Sequence, residues 1–324
     1  MFRKILASSA ALALAVSGLA GCSSENAHND DKLSVVCTVY PIYDWTRQII
    51  GSDSDVQLSF LLNSGADLHN YQPTADDMIT ISDCDVFIYV GGESDKWVDN
   101  CLKEARNKDM VVIDLMDILG DSSLREEELK EGMEAEEEEE EGEEEGPEYD
   151  EHIWLSLRNA VKCVESIDEK LEAADADNAD TFKENTSAYV EKLNKLDSDF
   201  SDMTASAKNK TLIFGDRFPF RYLVDDYGLD YYAAFIGCSA ETEASFKTIA
   251  FLADKADELG AGTIFTIEGS DCSIAKSVVS NTKSKDQKIV SLYSMQSVPE
   301  YDKADCSYFN FMKKNYDAIK EALN

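Results

Sequence analysis

The sequence predicts an α/β protein of two lobes, each with a mainly parallel four-stranded sheet, joined by one long helix. Short apolar segments alternate with amphipathic ones in both halves of the chain, which is typical of βαβ units. Between the two series, apolar residues repeat at helical spacing over residues 177–207. At 1.5 Å per residue this helix spans about 45 Å, enough to join two lobes. A chain of 324 residues can also form two cores.

The first series contains four predicted strands, at residues 33–40, 56–62, 85–90 and 111–115, with helices at 43–50, after Thr74, and at 97–107. Pro41 is expected to close the first strand, because proline cannot donate to a sheet ladder. Thr74 is expected to cap the helix that follows it, with Asp77 at the fourth position of a capping box.

After a helix from residue 157 to 171, the second series repeats the pattern. It has predicted strands at 211–214, 231–235, 263–267 and 289–293, and helices at 222–227, 246–259, 274–282 and 308–323. Gly228 is expected to stop the first of these helices. We therefore assign residues 32–172 to the N-terminal lobe, 173–207 to the linking helix and 208–324 to the C-terminal lobe.

The N-terminus has the pattern of a signal peptide. A basic start at Arg3 and Lys4 precedes an apolar run over residues 5–16, too short for a membrane span. Residues 19–22 read Leu-Ala-Gly-Cys and resemble the lipobox of bacterial lipoproteins, in which the cysteine, here Cys22, carries the lipid. Residues 1–22 are thus the predicted leader and residues 23–31 a flexible tether. This predicts a protein anchored by lipid to the outer face of the bacterial cell membrane.

The charge is strongly negative and concentrated in one segment. Of the formal net charge of −35, residues 126–151 contribute −16, from 17 acidic residues and one lysine. So acidic a chain argues against nucleic acid as a partner, because phosphates would be repelled, and it suits cations. Residues 121–148 are of low complexity, and we expect the acidic loop at 121–150 to be solvated and disordered.

The three histidines suggest a metal site. His28 lies in the tether, whereas His69 follows the second predicted strand and His152 directly follows the acidic loop. In proteins with parallel sheets, ligands bind beyond the carboxyl ends of the strands, and His69 lies at such a position. We therefore expect His69 and His152 to meet at one metal ion. The seven cysteines after Cys22 are scattered, without a Cys-x-x-Cys motif, and their spacing indicates no particular pairing.

Several blocks resemble one known family. Residues 69–74 read His-Asn-Tyr-Gln-Pro-Thr and are similar to its first ligand motif, His-x-Tyr-x-Pro. Residues 151–155 read Glu-His-Ile-Trp-Leu and resemble its second, Asp-Pro-His-x-Trp, without the proline. Residues 35–43 and 89–97 are similar to two further blocks. The chain resembles the zinc and manganese substrate-binding lipoproteins of bacterial ABC transporters, and the resemblance covers essentially the whole mature chain.

The resemblance implies a ligand set of four residues. Two are His69 and His152. The third position, usually His or Glu, falls on Arg217, which stays protonated and cannot bind a cation. Asp216 is expected to replace it after a shift of one residue; the alternative is that water fills the position. An acid ending a strand of the C-terminal lobe is the fourth ligand, and it falls on Glu268, with Asp271 as the competitor.

Two imidazoles and two carboxylates suit Zn²⁺ or Mn²⁺, and the acidic loop favours zinc. Glu151, next to His152 in the sequence, is expected to support this ligand without binding the metal itself. The family implies a monomer that captures the ion between its lobes and passes it to an ABC permease, with the linking helix rigid. The alternatives are a manganese-specific protein of the same type and a surface metal buffer or adhesin without a permease.

An enzyme is the competing class. An extracellular zinc hydrolase would use Glu268 or Glu151 as a general base. The sequence contains no His-Glu-x-x-His motif, and only two histidines outside the tether are available for a site. We therefore expect a binding protein and not an enzyme.

Overall fold

The computed structural model describes residues 32–52, 54–63, 65–134, 148–239, 243–299, 301, 303 and 305–324. The predicted leader, the lipidation site Cys22 and the tether lie outside these residues, as does most of the glutamate run. Within the described ranges, no helix combines the length and the apolar character needed to cross a membrane.

The N-terminal lobe is a parallel sheet with helical connections. Its elements are β1 (Ser34–Cys37), α1 (Tyr40–Ile50), β2 (Gln57–Phe60), α2 (Ala75–Asp83), β3 (Val86–Tyr89), α3 (Val98–Lys103), β4 (Val111–Asp114) and α4 (Leu115–Leu119). The strands lie in the order β2-β1-β3-β4, all parallel. Every residue of the central strand β1 is buried, as expected for a sheet covered on both faces.

Local sequence explains two helix starts in this lobe. Thr74 caps α2, and its side chain and that of Asp77 form the reciprocal bonds of the predicted capping box. The prediction for Pro41 was wrong in one respect, because Pro41 lies in the first turn of α1. The amide that proline lacks has no partner in the first turn of a helix, so α1 begins three residues earlier than predicted.

Two long helices follow, α5 (Leu157–Ala174) and α6 (Ala179–Ser206). The 28 residues of α6 cover about 42 Å at 1.5 Å per residue. The apolar residues that repeat at helical spacing are buried: Phe182, Tyr189, Leu193, Leu196, Phe200 and Met203. This face of α6 packs on α5 and α1, so the helix is held along its length.

The C-terminal lobe is less regular than predicted. Its elements are β5 (Thr211–Ile213), β6 (Arg217–Phe218), α7 (Arg221–Tyr227), β7 (Asp230–Tyr232), β8 (Phe235–Ile236), α8 (Phe246–Leu259), β9 (Thr263–Ile267), α9 (Ser273–Asn281), β10 (Lys288–Leu292) and α10 (Tyr308–Leu323). The parallel pairs are β5 with β7, β6 with β8 and β9 with β10. A parallel bridge between Phe214 and Phe265 joins the β5–β7 pair to the β9–β10 pair. The α/β architecture with parallel sheets in both lobes is confirmed.

The predicted strand at 231–235 is two strands. Ala233 and Ala234 interrupt it, and the amide of Ala234 donates to the carbonyl oxygen of Asp216 at 3.2 Å. The chain therefore leaves the sheet at this point, and β8 pairs with β6, a strand that the apolar pattern did not indicate. Gly228 ends α7 in the left-handed conformation, with φ of 60°, as predicted.

The last helix, α10, returns to the N-terminal lobe. The amide of Tyr308 donates to Oδ2 of Asp44 on α1 at 2.8 Å, and its hydroxyl donates to the carbonyl oxygen of Trp154 at 2.6 Å. The ring of Tyr308 also meets that of Trp45 edge to face, with centroids 5.1 Å apart. Three buried contacts of Tyr308 thus join the N-terminal end of α10 to the first lobe.

The described ends of the acidic loop are ordered, which corrects the prediction of a disordered loop from residue 121 onward. Glu126 and Tyr149 form an antiparallel bridge, and the amide of Glu127 donates to the carbonyl oxygen of Glu148 at 2.9 Å. The amide of Glu134 donates to the carbonyl oxygen of Ala234 in the C-terminal lobe at 2.9 Å. Backbone pairing, which composition does not indicate, fixes these ends.

Candidate metal centre

His69 is held in a single turn of 3-10 helix, Leu68–Asn70. Asp67 caps this turn, because its Oδ1 accepts the amide of His69 at 3.1 Å. Nδ1 of the imidazole lies 3.0 Å from the hydroxyl of Ser94 and 3.8 Å from Oε2 of Glu151. Both neighbours can accept a hydrogen bond, so the proton is placed on Nδ1 and the lone pair of Nε2 faces away from them.

His152 is fully buried and is oriented by the residue two positions before it. Oδ1 of Asp150 accepts the backbone amide of His152 at 2.8 Å and its Nδ1 at 2.9 Å. These two bonds place the imidazole proton on Nδ1 and leave Nε2 as an acceptor. Trp154, in the turn that follows, packs edge to face on the imidazole and donates to the carbonyl oxygen of Ser294 at 2.7 Å.

The two imidazoles meet as the sequence predicts. Nε2 of His69 and Nε2 of His152 lie 3.2 Å apart. The carboxamide nitrogen of Gln296 lies 2.8 Å from Nε2 of His69 and is also in contact with Nε2 of His152. An amide nitrogen has two hydrogens, so it can donate one to each lone pair. Gln296 thus occupies the point on which both imidazoles converge.

Both imidazoles are in the form that binds metal. Burial, together with the neighbouring His152, lowers the pKa of His69 to about 3. Burial also lowers the pKa of His152 to about 4. Because only the neutral imidazole offers a lone pair, both rings are available to a cation at neutral pH.

Cys238 is the third residue at this centre whose side chain could bind a metal ion. The ligand atoms of His69, His152 and Cys238 all lie within 4.8 Å of one another. The sequence pattern did not single out this cysteine, because the seven thiols after Cys22 are scattered and share no motif. The signal was its position, two residues after the end of the parallel strand β8. All seven cysteines in the described residues are free thiols.

The two predicted carboxylate ligands lie apart from this group in the part of the chain that the structure describes. Glu268 accepts the amides of Ser294 and Met295, each at 2.6 Å, and burial raises its pKa to about 7. Oδ1 of Asp216 accepts the amide of Arg217 at 2.9 Å, and its Oδ2 accepts the amide of Ile267 at 3.3 Å.

Arg217 lies at the mouth of the centre and bonds to both lobes. Its Nη2 donates to Oδ2 of Asp67 at 2.7 Å, and its Nη1 donates to the carbonyl oxygen of Ser239 at 3.1 Å. The guanidinium thus forms an ion pair in the position where the family resemblance expects a ligand.

Asp271, the competitor of Glu268, accepts the amide of Ser273 at 2.7 Å.

Glu151 and Asp150 have different neighbours. Oε1 of Glu151 accepts the amide of Ser94 at 2.7 Å. Its buried Oε2 has no hydrogen-bond partner among the described residues and lies 3.8 Å from Nδ1 of His69. Burial raises the pKa of Glu151 to about 7. The carboxylate bonded to His152 is that of Asp150, whose role the sequence analysis did not single out.

A cleft of about 560 Å³ is lined by residues of both lobes, Asp67 and Arg217 among them. Five acidic residues and one arginine line it: Asp67, Asp216, Glu243, Glu268, Asp271 and Arg217. An excess of carboxylates in a concave site raises the local concentration of cations.

The chain is similar to known zinc-binding and zinc-uptake proteins. Residues 35–322 match the ZnuA family, described as the zinc-uptake complex component A, periplasmic. The chain is 33% identical over 311 residues to the zinc-binding lipoprotein AdcA of Streptococcus pneumoniae, covering 94% of this chain and 58% of AdcA. It is 32% identical over 295 residues to the high-affinity zinc uptake system protein ZnuA of Bacillus subtilis, covering 90% and 88%.

The fold is shared with solved structures. The Zn(II)-bound ZnuA-like domain of Streptococcus pneumoniae AdcA superposes with a TM-score of 0.71 at 30% identity, covering 90% of this chain and 99% of that domain. The chain thus spans little more than half the length of whole AdcA, the part that corresponds to this domain. These matches confirm the two-lobe fold. The protein belongs to the ZnuA family of periplasmic zinc-uptake components.

Proposed function

We propose that this protein captures Zn²⁺ between its two lobes as cargo and delivers it to an ABC permease for uptake. The observation that carries the proposal is the convergence of two neutral imidazoles, with Nε2 of His69 3.2 Å from Nε2 of His152. Two nitrogens bound to one tetrahedral zinc at 2.0–2.1 Å lie about 3.3 Å apart. The separation in this protein therefore matches the spacing that zinc requires.

The relatives support zinc as the cargo. The similar AdcA and ZnuA proteins are zinc-binding or zinc-uptake proteins by name. Nitrogen ligands also favour Zn²⁺ over Mn²⁺, which sits lower in the Irving–Williams order and suits oxygen ligands. Manganese remains the alternative cargo that a competition experiment must exclude.

Metal binding requires a rearrangement within the site. Gln296 must withdraw its amide nitrogen from the two lone pairs, or turn its amide so that the carbonyl oxygen faces the ion. Asp216 and Glu268 stay our carboxylate candidates for the remaining positions. Each would have to give up backbone hydrogen bonds to reach the ion, so their coordination requires movement within the C-terminal lobe.

Anchoring and supply belong to the same proposal. Cleavage before Cys22 and lipidation of that cysteine would hold a monomeric protein at the outer face of the cell membrane, beside its permease. The acidic loop would collect cations near the cleft, and Glu151 would support the site from beside His69.

A zinc titration tests the proposal. The purified protein is expected to bind one tight equivalent of Zn²⁺, measured by competition with a chromophoric chelator, and to retain it against excess Mn²⁺. The His69→Ala/His152→Ala double variant is expected to lose this equivalent. His28→Ala is the matched control, because it removes the one histidine that lies outside the site, and it should bind as the wild type does.

Zinc binding that is equal in the double variant and the wild type would contradict the proposal. It would leave only weak and unselective binding by the glutamate run. A preference for Mn²⁺ at the same site would instead replace zinc by manganese as the cargo.

A further inference from the structure

We infer that the Sγ atom of Cys238 is the third protein ligand of the metal, and that its thiolate makes the site selective for Zn²⁺ over Mn²⁺. The inference rests on the proposed function, because it concerns the same centre. It differs from the set of two histidines and two carboxylates that the family resemblance implies.

The position of Cys238 carries the inference. Its sulfur belongs to the group of three ligand atoms within 4.8 Å of one another, together with the imidazoles of His69 and His152. Nitrogen and sulfur ligands of a tetrahedral zinc ion lie about 3.5–3.7 Å apart when the bonds are 2.0 and 2.3 Å long. Because the three ligand atoms already lie within 4.8 Å of one another, a small side-chain movement is enough to bring them to these distances.

Gly237 lets the chain approach the imidazole. A Cβ atom at this residue would lie 3.1 Å from Cε1 of His152 and 3.0 Å from the carbonyl oxygen of Phe218. Both distances are tighter than side chains normally allow, so a residue larger than glycine would push the strand end away. The glycine thus brings the backbone of residue 238 against the ring whose Nε2 binds the ion.

The position at which the family resemblance expects the third ligand does not supply one. Arg217 stands there and forms an ion pair with Asp67. Asp216 accepts backbone amides on both of its oxygens and does not join the imidazoles. Cys238 reaches the same centre from the opposite strand of the β6–β8 pair. A donor is therefore present at the centre, although an arginine stands at the usual third position of the sequence pattern.

Cys238 is a free thiol in the structure. Binding therefore replaces the S–H bond by an S–Zn bond and releases one proton to solvent, possible because a coordinated thiol is deprotonated outright. Soft thiolate ligands bind Zn²⁺ far better than Mn²⁺, which prefers carboxylate and carbonyl oxygens.

Cobalt reports directly on sulfur coordination. Co²⁺ bound to the purified wild-type protein is expected to show thiolate-to-cobalt charge-transfer absorption in the near ultraviolet, in proportion to the one bound equivalent. Cys238→Ser and Cys238→Ala should lose this band, and their affinity for Zn²⁺ should fall more than about 100-fold, since even supporting residues of metal sites are worth 10–100-fold. Their affinity for Mn²⁺ should change less than threefold.

Cys272→Ser is the matched control. Cys272 is also a half-buried free thiol of the C-terminal lobe, and it contacts Ser270 and Thr266, outside the metal group. This variant should keep both the band and the affinity. Thermal unfolding of each variant without metal will show that it is folded.

The outcomes separate the two proposals. One bound equivalent of Co²⁺ without a charge-transfer band, or unchanged Zn²⁺ affinity in both Cys238 variants, would overturn the role of Cys238 and leave the proposed function intact. Failure of the wild-type protein to bind Zn²⁺ or Co²⁺ tightly would overturn both.

Discussion

Nη2 of Arg217 lies 2.7 Å from Oδ2 of Asp67, and this ion pair joins the C-terminal lobe to the N-terminal lobe beside the candidate metal centre. The other oxygen of Asp67 accepts the amide of His69. The arginine therefore contacts the residue that holds the turn of a proposed ligand. Both side chains are largely buried, at 16% and 22% exposure, so the pair is less screened than a surface ion pair.

Replacement of Arg217 by glutamine is expected to speed the release of zinc. The lobes lose a contact of about 1 kcal/mol, which corresponds to a dissociation rate about fivefold faster, since loss of a buried charge pair acts mainly on dissociation. Stopped-flow chelator competition measures this rate. Arg106→Gln is the control, because its pair with Asp83 lies within the N-terminal lobe. Equal rates in all three proteins would contradict a role in holding the lobes.

Removal of the Asp150 carboxylate is expected to weaken zinc binding by 10–100-fold, because Nδ1 of His152 loses the acceptor that fixes its proton and its orientation. Asp150→Ala should show the full loss. Asp150→Asn keeps a carbonyl oxygen at the same place and should recover most of the affinity. Competitive titration compares the two. An equal loss in both variants would mean that the negative charge matters and the orientation does not.

The glutamate run is expected to accelerate capture and to leave the equilibrium affinity nearly unchanged. Glutamine at residues 136–141 and 143–145 removes nine negative charges and keeps the length of the segment. The association rate of Zn²⁺ should fall at least threefold at 10 mM salt, where the Debye length is about 30 Å. At 1 M salt the two proteins should react equally fast. A difference that persists at high salt would point to direct binding by the glutamates.

Asp95 is expected to make the metal-free fold less stable as the pH rises. Burial raises its pKa from 3.8 to about 7, although its Oδ2 accepts the amides of Val90 and Gly91. Between these two pH values the folded state binds more protons than the unfolded state. The free energy of unfolding therefore falls with increasing pH, by up to about 1.4 kcal/mol per pH unit, and the contribution is constant above pH 7.

Asp95→Asn should remove this component. Its neutral amide can still accept both backbone amides, so the variant is expected to gain stability relative to the wild type between pH 5 and pH 8. Urea unfolding with a chelator present measures the difference. Asp99→Asn, on the exposed side of α3, serves as the control. A constant difference between Asp95→Asn and wild type across this range would contradict the assigned ionisation.

The apolar pattern was sufficient where burial follows the period of the element. The ranges of α8, β9 and α10 match the predicted ones, and α6 differs from its prediction by three residues in all. The pattern failed where the backbone found partners outside its own element. Ala234 bonds to Asp216 and splits a strand, and the short α4 begins where Asp114 turns from strand residue to helix cap.

The candidate centre was predictable for the two histidines, because each lies in a motif with a defined place in the chain. Gln296 and Cys238 carry no such motif. They reach the imidazoles through the packing of one lobe against the other, over 144 and 86 residues of sequence from His152. Such placement depends on tertiary contacts that composition and spacing do not encode.

The contacts of α10 with the first lobe also bear on the order in which the protein can fold. Asp44 and Trp45 are made early in synthesis, whereas their partner Tyr308 emerges more than 260 residues later. A nascent chain that ends before Tyr308 leaves the buried carboxylate of Asp44 without that amide and the face of Trp45 without its ring. The first lobe is therefore expected to stay open to exchange with solvent until the last helix has been made. The packing of that lobe is then completed by a late, non-local event and not by the ribosome's progress through residues 32–172.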